Sequence, residues 1–388
     1  MKKILLPAWI LASVLLLLYS FTQVSLSLAL NKSPQLYSIQ QAFQYIGYFN
    51  RPLSALLYIS IMLFSFLLFF ITLRVIIKNL LTFKKLFTII IVISCILVFS
   101  YNAFSHDIFN YIFDAKIFTH YQMNPYLHKA LDFPGDPMLS FMQWTHRTYP
   151  YGPVWLGISI PLSYVGFNYF IITFGLFKLL SAVAYIGTAW FIYKIGLIVR
   201  KESALFMTAF FALNPFIITE FLVSAHNDSV MMFFAIFSVW LVLVQKRFFG
   251  IISFLVSVGV KFATAFLAPM MIILTYSKRN YEGAVGIGIV TMCLAVVAAS
   301  INSGNFQPWY FSYVVIIASL LAYKKYIQIP VLVFSFCVTF YYLPYLYTGA
   351  WNNPVPDILR TGLSISCILV SVLFVYLFFS DTADKSKI

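Results

Sequence analysis

Residues 52–76 read PLSALLYISIMLFSFLLFFITLRVI, an apolar run whose one charged residue is Arg74. About 20 apolar residues suffice to cross a hydrocarbon core of roughly 30 Å as a helix, the form in which a single segment satisfies its backbone polar groups inside lipid. The same texture recurs near 4–30, 86–104, 169–198, 203–223, 229–245, 282–301, 309–323, 327–346 and 360–379. Composition agrees: 62% of the residues are hydrophobic and 9% charged, against about 25% charged in a soluble domain. The expected fold is all-α: one polytopic membrane domain over 1–388, with about 10–12 transmembrane helices plus re-entrant or interfacial ones.

The net charge of +14 does not point to nucleic acid. Basic residues cluster between apolar runs, at Lys2-Lys3, Lys84-Lys85, Arg200-Lys201, Lys246-Arg247, Lys278-Arg279 and Lys324-Lys325, as the positive-inside rule requires of cytoplasmic loops. Cys95, Cys293, Cys337 and Cys367 show no spacing suited to zinc or a disulfide framework. The start resembles a signal peptide with Ser27-Leu28-Ala29 as a cleavage site, but the apolar run is long for an h-region, so an uncleaved first span is expected. With the clusters in the cytoplasm, segments 31–51, 105–152, 224–228, 302–308 and 347–359 face outside. Residues 153–166 are too short to cross and read as an interfacial or re-entrant helix. Residues 250–276, with basic flanks and Lys261 near their midpoint, read as a broken or re-entrant hairpin. No internal repeat or low-complexity linker is evident.

Ionisable residues gather on this outer face. The loop 105–152 holds His106, Asp107, Asp114, His120, His128, Asp132, Asp136 and His146, and the next outer turn holds His226, Asn227 and Asp228. Helical periodicity over 105–116 puts Asp107, Asn110, Tyr111 and Asp114 on one stripe and Ile108, Phe109, Ile112 and Phe113 opposite, the pattern of an amphipathic outer helix lying on the membrane with its acids in water. Glu220 falls inside an apolar run, where an acid costs ~2.5–3.5 kcal/mol and is a functional-site candidate. Lys261 carries the same argument, whereas Lys178 lies near enough to a span end to snorkel.

In order, Asp107, Asn124-Pro125-Tyr126, Tyr149-Pro150-Tyr151-Gly152-Pro153, Asn214-Pro215 with Glu220, His226-Asn227-Asp228, Lys261 with Pro269, and Gln307-Pro308-Trp309-Tyr310 form a set. It resembles the GT-C superfamily, and most of all the bacterial polyprenol-phosphate-mannose-dependent α-mannosyltransferases. The likeness covers about residues 100–325, and departs at Gln122-Met123, where relatives tend to carry Gly before Asn-Pro-Tyr. It implies transfer of a hexose, mannose first, from a polyprenyl-phosphate donor to a hydroxyl of a glycan or lipid acceptor in the cell envelope. The enzyme would sit among the lipids of the plasma (inner) membrane, with its site on the non-cytoplasmic face.

In this reading Asp107 is the catalytic base, since an attacking alcohol must lose a proton. Lys261 would offset charge on the leaving phosphate. His106, Asp114, Asn124, Tyr126, Tyr149, Tyr151, Glu220, His226, Asn227, Asp228 and Trp309 would bind substrate. No metal ligand is assigned; a divalent cation, magnesium or manganese, stays open, because His106, Asp107 and Asp228 suit an acid–base site or a shared ion equally. The competing classes are a lipid-linked oligosaccharide flippase and a membrane-embedded glycan ligase or acyltransferase.

Overall fold

The computed structural model describes every residue except 1–3, 31–32, 278–279 and 386–388. The basic clusters Lys2-Lys3 and Lys278-Arg279 thus lie outside the described residues. The first half comprises α1 (Leu5–Ser20), α2 (Pro34–Gln44), α3 (Arg51–Ile77), α4 (Phe83–Leu97), α5 (Asp107–Thr119), α6 (Pro153–Val165), α7 (Phe170–Val199), α8 (Ala204–Ala212) and α9 (Pro215–Ile217). The second comprises α10 (Asp228–Leu243), α11 (Arg247–Val260), α12 (Ala268–Tyr276), α13 (Tyr281–Ser303), α14 (Ser312–Ser319), α15 (Lys325–Thr339), α16 (Leu343–Thr348) and α17 (Val355–Lys385). The described residues contain no strand. Among the described residues six helical segments are long and apolar enough to cross a membrane, or seven if the bent pair Lys201–Ala212 and Pro215–Val223, angled at 47°, is one span. Five shorter apolar helices fill out the bundle. The all-α polytopic expectation is met.

The first helical segment stops at Gln23, although the apolar run continues to Leu30. Glutamines from α2 supply the reason. Gln40 bonds the Leu30 amide (2.9 Å) and the Leu28 carbonyl, and Gln44 Nε2 donates to the carbonyls of Val24 (3.2 Å) and Ser25 (3.0 Å). Side-chain amides thereby satisfy backbone groups that a helix would otherwise satisfy itself. α1 is anchored further by Trp9, whose Nε1 donates to Thr72 Oγ1 on α3 at 3.1 Å.

The segment expected to break does so at Lys261. α11 ends at Val260, Lys261 is extended (φ −155°, ψ 129°), and a 3-10 stretch Phe262–Leu267 leads into α12. Ser257 on the rising limb donates to Met231 near the start of α10 and contacts Thr264 on the descending one. Lower down, Ser238 meets both Gly250 and Met271. The two limbs therefore run back alongside α10 as a hairpin whose tip is Lys261.

Two expectations are corrected. The helix over 107–119 forms, but it does not lie on the membrane with its acids in water: both the polar stripe and the apolar face are buried. α6 and α7 pack against it, so its polar stripe faces other protein groups. Lys178 does not snorkel. Its ammonium is buried (1% exposed) and donates to Ser100 Oγ (2.8 Å) and to the carbonyls of Leu222 and Val223. It ties α7 to the connector that leads into the polar site.

Candidate active site

Four backbone irregularities bring the polar residues together. Asn214 caps the break, its Oδ1 accepting from the Phe216 amide at 3.1 Å, with Pro215 at the first helical position. Ile218–Val223 is a π-helical turn, a form often found at functional sites. It turns Glu220 inward. Ala225 then takes a left-handed conformation (φ 49°), uncommon for a residue bearing a Cβ, and this reverses the chain so that His226 faces both Glu220 and α5. The fourth is the extended Lys261.

His226 is the hub. Its Nδ1 stands 3.4 Å from Asp107 Oδ2 and its Nε2 3.3 Å from Glu220 Oε2, with the ring fully buried. Trp309 stacks on the imidazole at 4.2 Å and 23°. Tyr342 Oη donates to both oxygens of Glu220, at 3.0 and 3.2 Å. Burial disfavours the imidazolium, but the carboxylates of Asp107 and Glu220 outweigh it and raise the His226 pKa to about 9. Burial likewise opposes charge on Asp107, and His226, then Arg147 and Lys261, reverse the effect and hold its carboxyl below the usual range. Asp107 is thus ionised beside a protonated ring.

A second cluster adjoins the first. Asp228 Oδ1 accepts from Tyr313 Oη at 2.6 Å and from Lys261 Nζ at 2.8 Å, with the Lys261 ammonium 5.3 Å from the Tyr310 ring centre. The loop docks on this hairpin tip: the Gly152 amide donates to Val260 O at 3.2 Å, and a Cβ on Gly152 would lie 2.1 Å from Gly259 O, so only glycine fits. Arg147 reaches in from the same loop, 4.0 Å from Asp107 Oδ1 and 3.4 Å from Tyr151 Oη. Asp114 is buried, and desolvation, opposed by Arg147 and aided by Asp107, raises its pKa to about 7.

The structure brings together Asp107, Glu220, His226, Asp228, Lys261 and Trp309. Asn227 joins them through Tyr111 Oη, 3.3 Å from its Oδ1. Tyr149 and Tyr151 pack edge-on, and Tyr151 does the same against Tyr111. The Asn124 side chain caps the amide of Tyr126 (3.0 Å), and Tyr126, 41% exposed, sets its ring against Tyr149 and donates its hydroxyl to Tyr151 O at 3.4 Å. His106 precedes α5 with its ring edge-on to Phe109, and the polar partners of Asp107 are His226 and Arg147 instead. Sequence reading missed Arg147, Tyr313 and Tyr342. Arg147 carried a signal, a cation in a loop that the basic bias places outside. The two tyrosines sit in apolar helices among 26 of their kind and carried none.

Several buried polar atoms here lack a hydrogen-bond partner: Asn110 Oδ1, Asn227 Nδ2, Asp228 Oδ2, Trp155 Nε1 and both nitrogens of His226, whose carboxylate neighbours stand off. Leaving such groups unpaired costs about 1–3 kcal/mol each, so their concentration marks a place built for something polar. Among the described residues no group of three or more His, Cys, Asp or Glu is arranged to hold a metal ion.

Residues 10–277 match the family model described as Alpha-(1->6)-mannopyranosyltransferase, N-terminal domain. Over 183 residues the chain is 29% identical to Alpha-(1->6)-mannopyranosyltransferase A of Corynebacterium glutamicum, covering 45% of this chain and 36% of that protein. The chain therefore spans little more than a third of the length of that curated relative. No solved structure matches it. On the family match, which covers Asp107, Glu220, His226, Asp228 and Lys261, the chain belongs to the Alpha-(1->6)-mannopyranosyltransferase family.

Proposed function

We propose that the chain is a membrane α-mannosyltransferase that takes mannose from a polyprenyl-phosphate donor and adds it to a glycan or lipid hydroxyl on the non-cytoplasmic face of the plasma membrane. The whole chain, 1–388, would act as one domain, with 105–152 as its catalytic loop. The observation that carries the reading is the buried carboxylate of Asp107, 3.4 Å from His226 and 4.0 Å from Arg147, inside the family-matched region.

The chemistry follows from that arrangement. The acceptor hydroxyl attacks the anomeric carbon and passes its proton to Asp107. The bond from that carbon to the phosphate oxygen breaks, and its electron pair stays on the phosphate. A monoanionic diester thereby becomes a monoester with more negative charge, which Lys261 and Arg147 offset by charge–charge attraction. Asp228 and Tyr313 aim Lys261, and Glu220 and Tyr342 hold His226 against Asp107. A divalent cation would supply the same positive charge at the leaving phosphate; in this proposal it assists at most.

The test is the purified full chain in nanodiscs with radiolabelled polyprenyl-phosphate-mannose and oligomannoside acceptors. Labelled acceptor is expected. Use of a nucleotide sugar with none of the lipid donor would overturn the donor assignment. Sidedness is checked by labelling Ser140→Cys and Gln245→Cys, two exposed positions; the proposal expects the first to react from outside and the second only from the cytoplasm.

A further inference from the structure

A cavity lies on the far side of α5, its walls mostly apolar and edged by polar side chains. It measures about 150 Å³ and is lined by Lys116, Asp136, Ser163, Asn168, Phe170 and Thr173, among others. Taking a water's share as about 30 Å³, it has room for about five waters or one sugar ring. Lys116 is nine residues beyond Asp107, about 14 Å along the helix axis and half a revolution round it. The cavity is therefore separate from the cluster around Asp107.

Its walls are built rather than incidental. Asp136 accepts from Lys116 Nζ, from Tyr121 Oη at 2.8 Å and from the Met138 amide at 2.9 Å. Asn168 Oδ1 gathers two hydroxyls, Thr119 at 2.7 Å and Ser163 at 2.8 Å. The turn that presents it holds two successive residues, Phe167 and Asn168, at positive φ (53° and 57°). A bulky aromatic there is a backbone outlier of the kind that clusters at ligand sites. The independent pointer is Thr173. The residue is buried (1% exposed) and lines the cavity, and its hydroxyl, set against Gly166, has no hydrogen-bond partner.

The chemistry of the lining selects the ligand class. Asp136 disfavours an anion and Lys116 disfavours a cation. Ammonium, amide and hydroxyl groups stand beside the apolar faces of Phe170 and Ile112, and a neutral polyol has hydroxyls for the first and a C–H face for the second. We infer that this cavity is a second, non-catalytic carbohydrate site that grips a sugar of the acceptor glycan remote from the hydroxyl being mannosylated. The inference rests on the mannosyl-transfer reading for its acceptor, and its distance from Asp107 makes it useful only to an acceptor several sugars long.

The experiment separates the two claims by measuring binding without donor. Mannotetraose is titrated into the full chain in nanodiscs by calorimetry, with the parent, Asp107→Asn, Thr173→Val and Asn168→Gly compared. Thr173→Val keeps shape, and glycine at 168 tolerates the positive φ, so both variants should fold. The expected result is parent-like binding by Asp107→Asn and roughly tenfold weaker binding by each cavity variant, the scale of one or two lost hydrogen bonds. In turnover, both cavity variants should raise KM for mannotetraose about as much while leaving octyl mannoside, a one-sugar acceptor, unaffected. No binding by the parent, or cavity variants that bind as the parent does, would overturn the inference. If binding behaves as expected but no mannose is transferred by any protein, the transferase reading fails and the carbohydrate site stands.

Discussion

Asp107 and Asp228 are the same residue in the same local setting, each the first residue of a helix, and their surroundings differ in one respect on which the roles proposed for them rest. Asp228 is saturated on one oxygen by two short bonds, 2.6 Å from Tyr313 and 2.8 Å from Lys261. Asp107 has only longer ionic neighbours, 3.4 Å to His226 and 4.0 Å to Arg147. A carboxylate clasped by short hydrogen bonds is an anchor. One kept charged by cations that stand off is free to turn either oxygen toward a proton donated by something else, whereas Asp228 is fixed through Oδ1 and has only its unpartnered Oδ2 left. The comparison teaches that the role of an acid at a helix start is set by what arrives from elsewhere in the chain.

Substitutions at Asp107, Lys261 and Asp228 test this contrast. The largest effect is expected of Asp107→Asn, since losing a general base costs about 10²- to 10⁴-fold in rate; transfer assays should show that loss with donor binding kept. Lys261→Met comes next, with an expected rise of about tenfold or more in KM for the lipid donor, the scale of one lost charge-assisted contact. Unchanged donor use would make Lys261 a structural cation of the hairpin. Asp228→Asn should act through Lys261, so its effect should fall mainly on donor KM, amount to a few fold, and nearly vanish in a Lys261→Met background, as a double-mutant cycle would register.

The smallest and broadest effect concerns pH. The His226 pKa is raised from 6.5 to about 9 in the folded chain. A raised pKa contributes stability that is full below 6.5 and is lost as pH rises through about 9. Thermal unfolding should therefore report declining stability over that window, and activity should fall with it as Asp107 and Glu220 come to share a neutral ring. His226→Gln should flatten the alkaline decline.

Much of the architecture was legible because it follows from single residues in apolar surroundings. Lys261 marked the hairpin tip, since it breaks the apolar pattern its neighbours set. The polar stripe of α5 was also legible, but not what it faces: burial of both faces depends on α6 and α7, which lie tens of residues later. Asp107 and Glu220 could be singled out separately. Their joining through His226 depends on a π turn and a left-handed alanine, neither of which has a residue signature. Tyr313 and Tyr342 differ from their aromatic neighbours only by a hydroxyl, whose importance appears once Asp228 and Glu220 stand opposite.

The claim that Asp107 accepts the proton while Asp228 positions the cation is tested most directly by one turnover with donor already bound. Parent, Asp107→Asn and Asp228→Asn are loaded with labelled polyprenyl-phosphate-mannose, mixed with saturating acceptor, and quenched over time. The transfer step is expected to slow at least about a hundredfold in Asp107→Asn and to stay close to the parent's in Asp228→Asn. A transfer step in Asp107→Asn faster than about a tenth of the parent's, or one slowed more in Asp228→Asn, would contradict the claim.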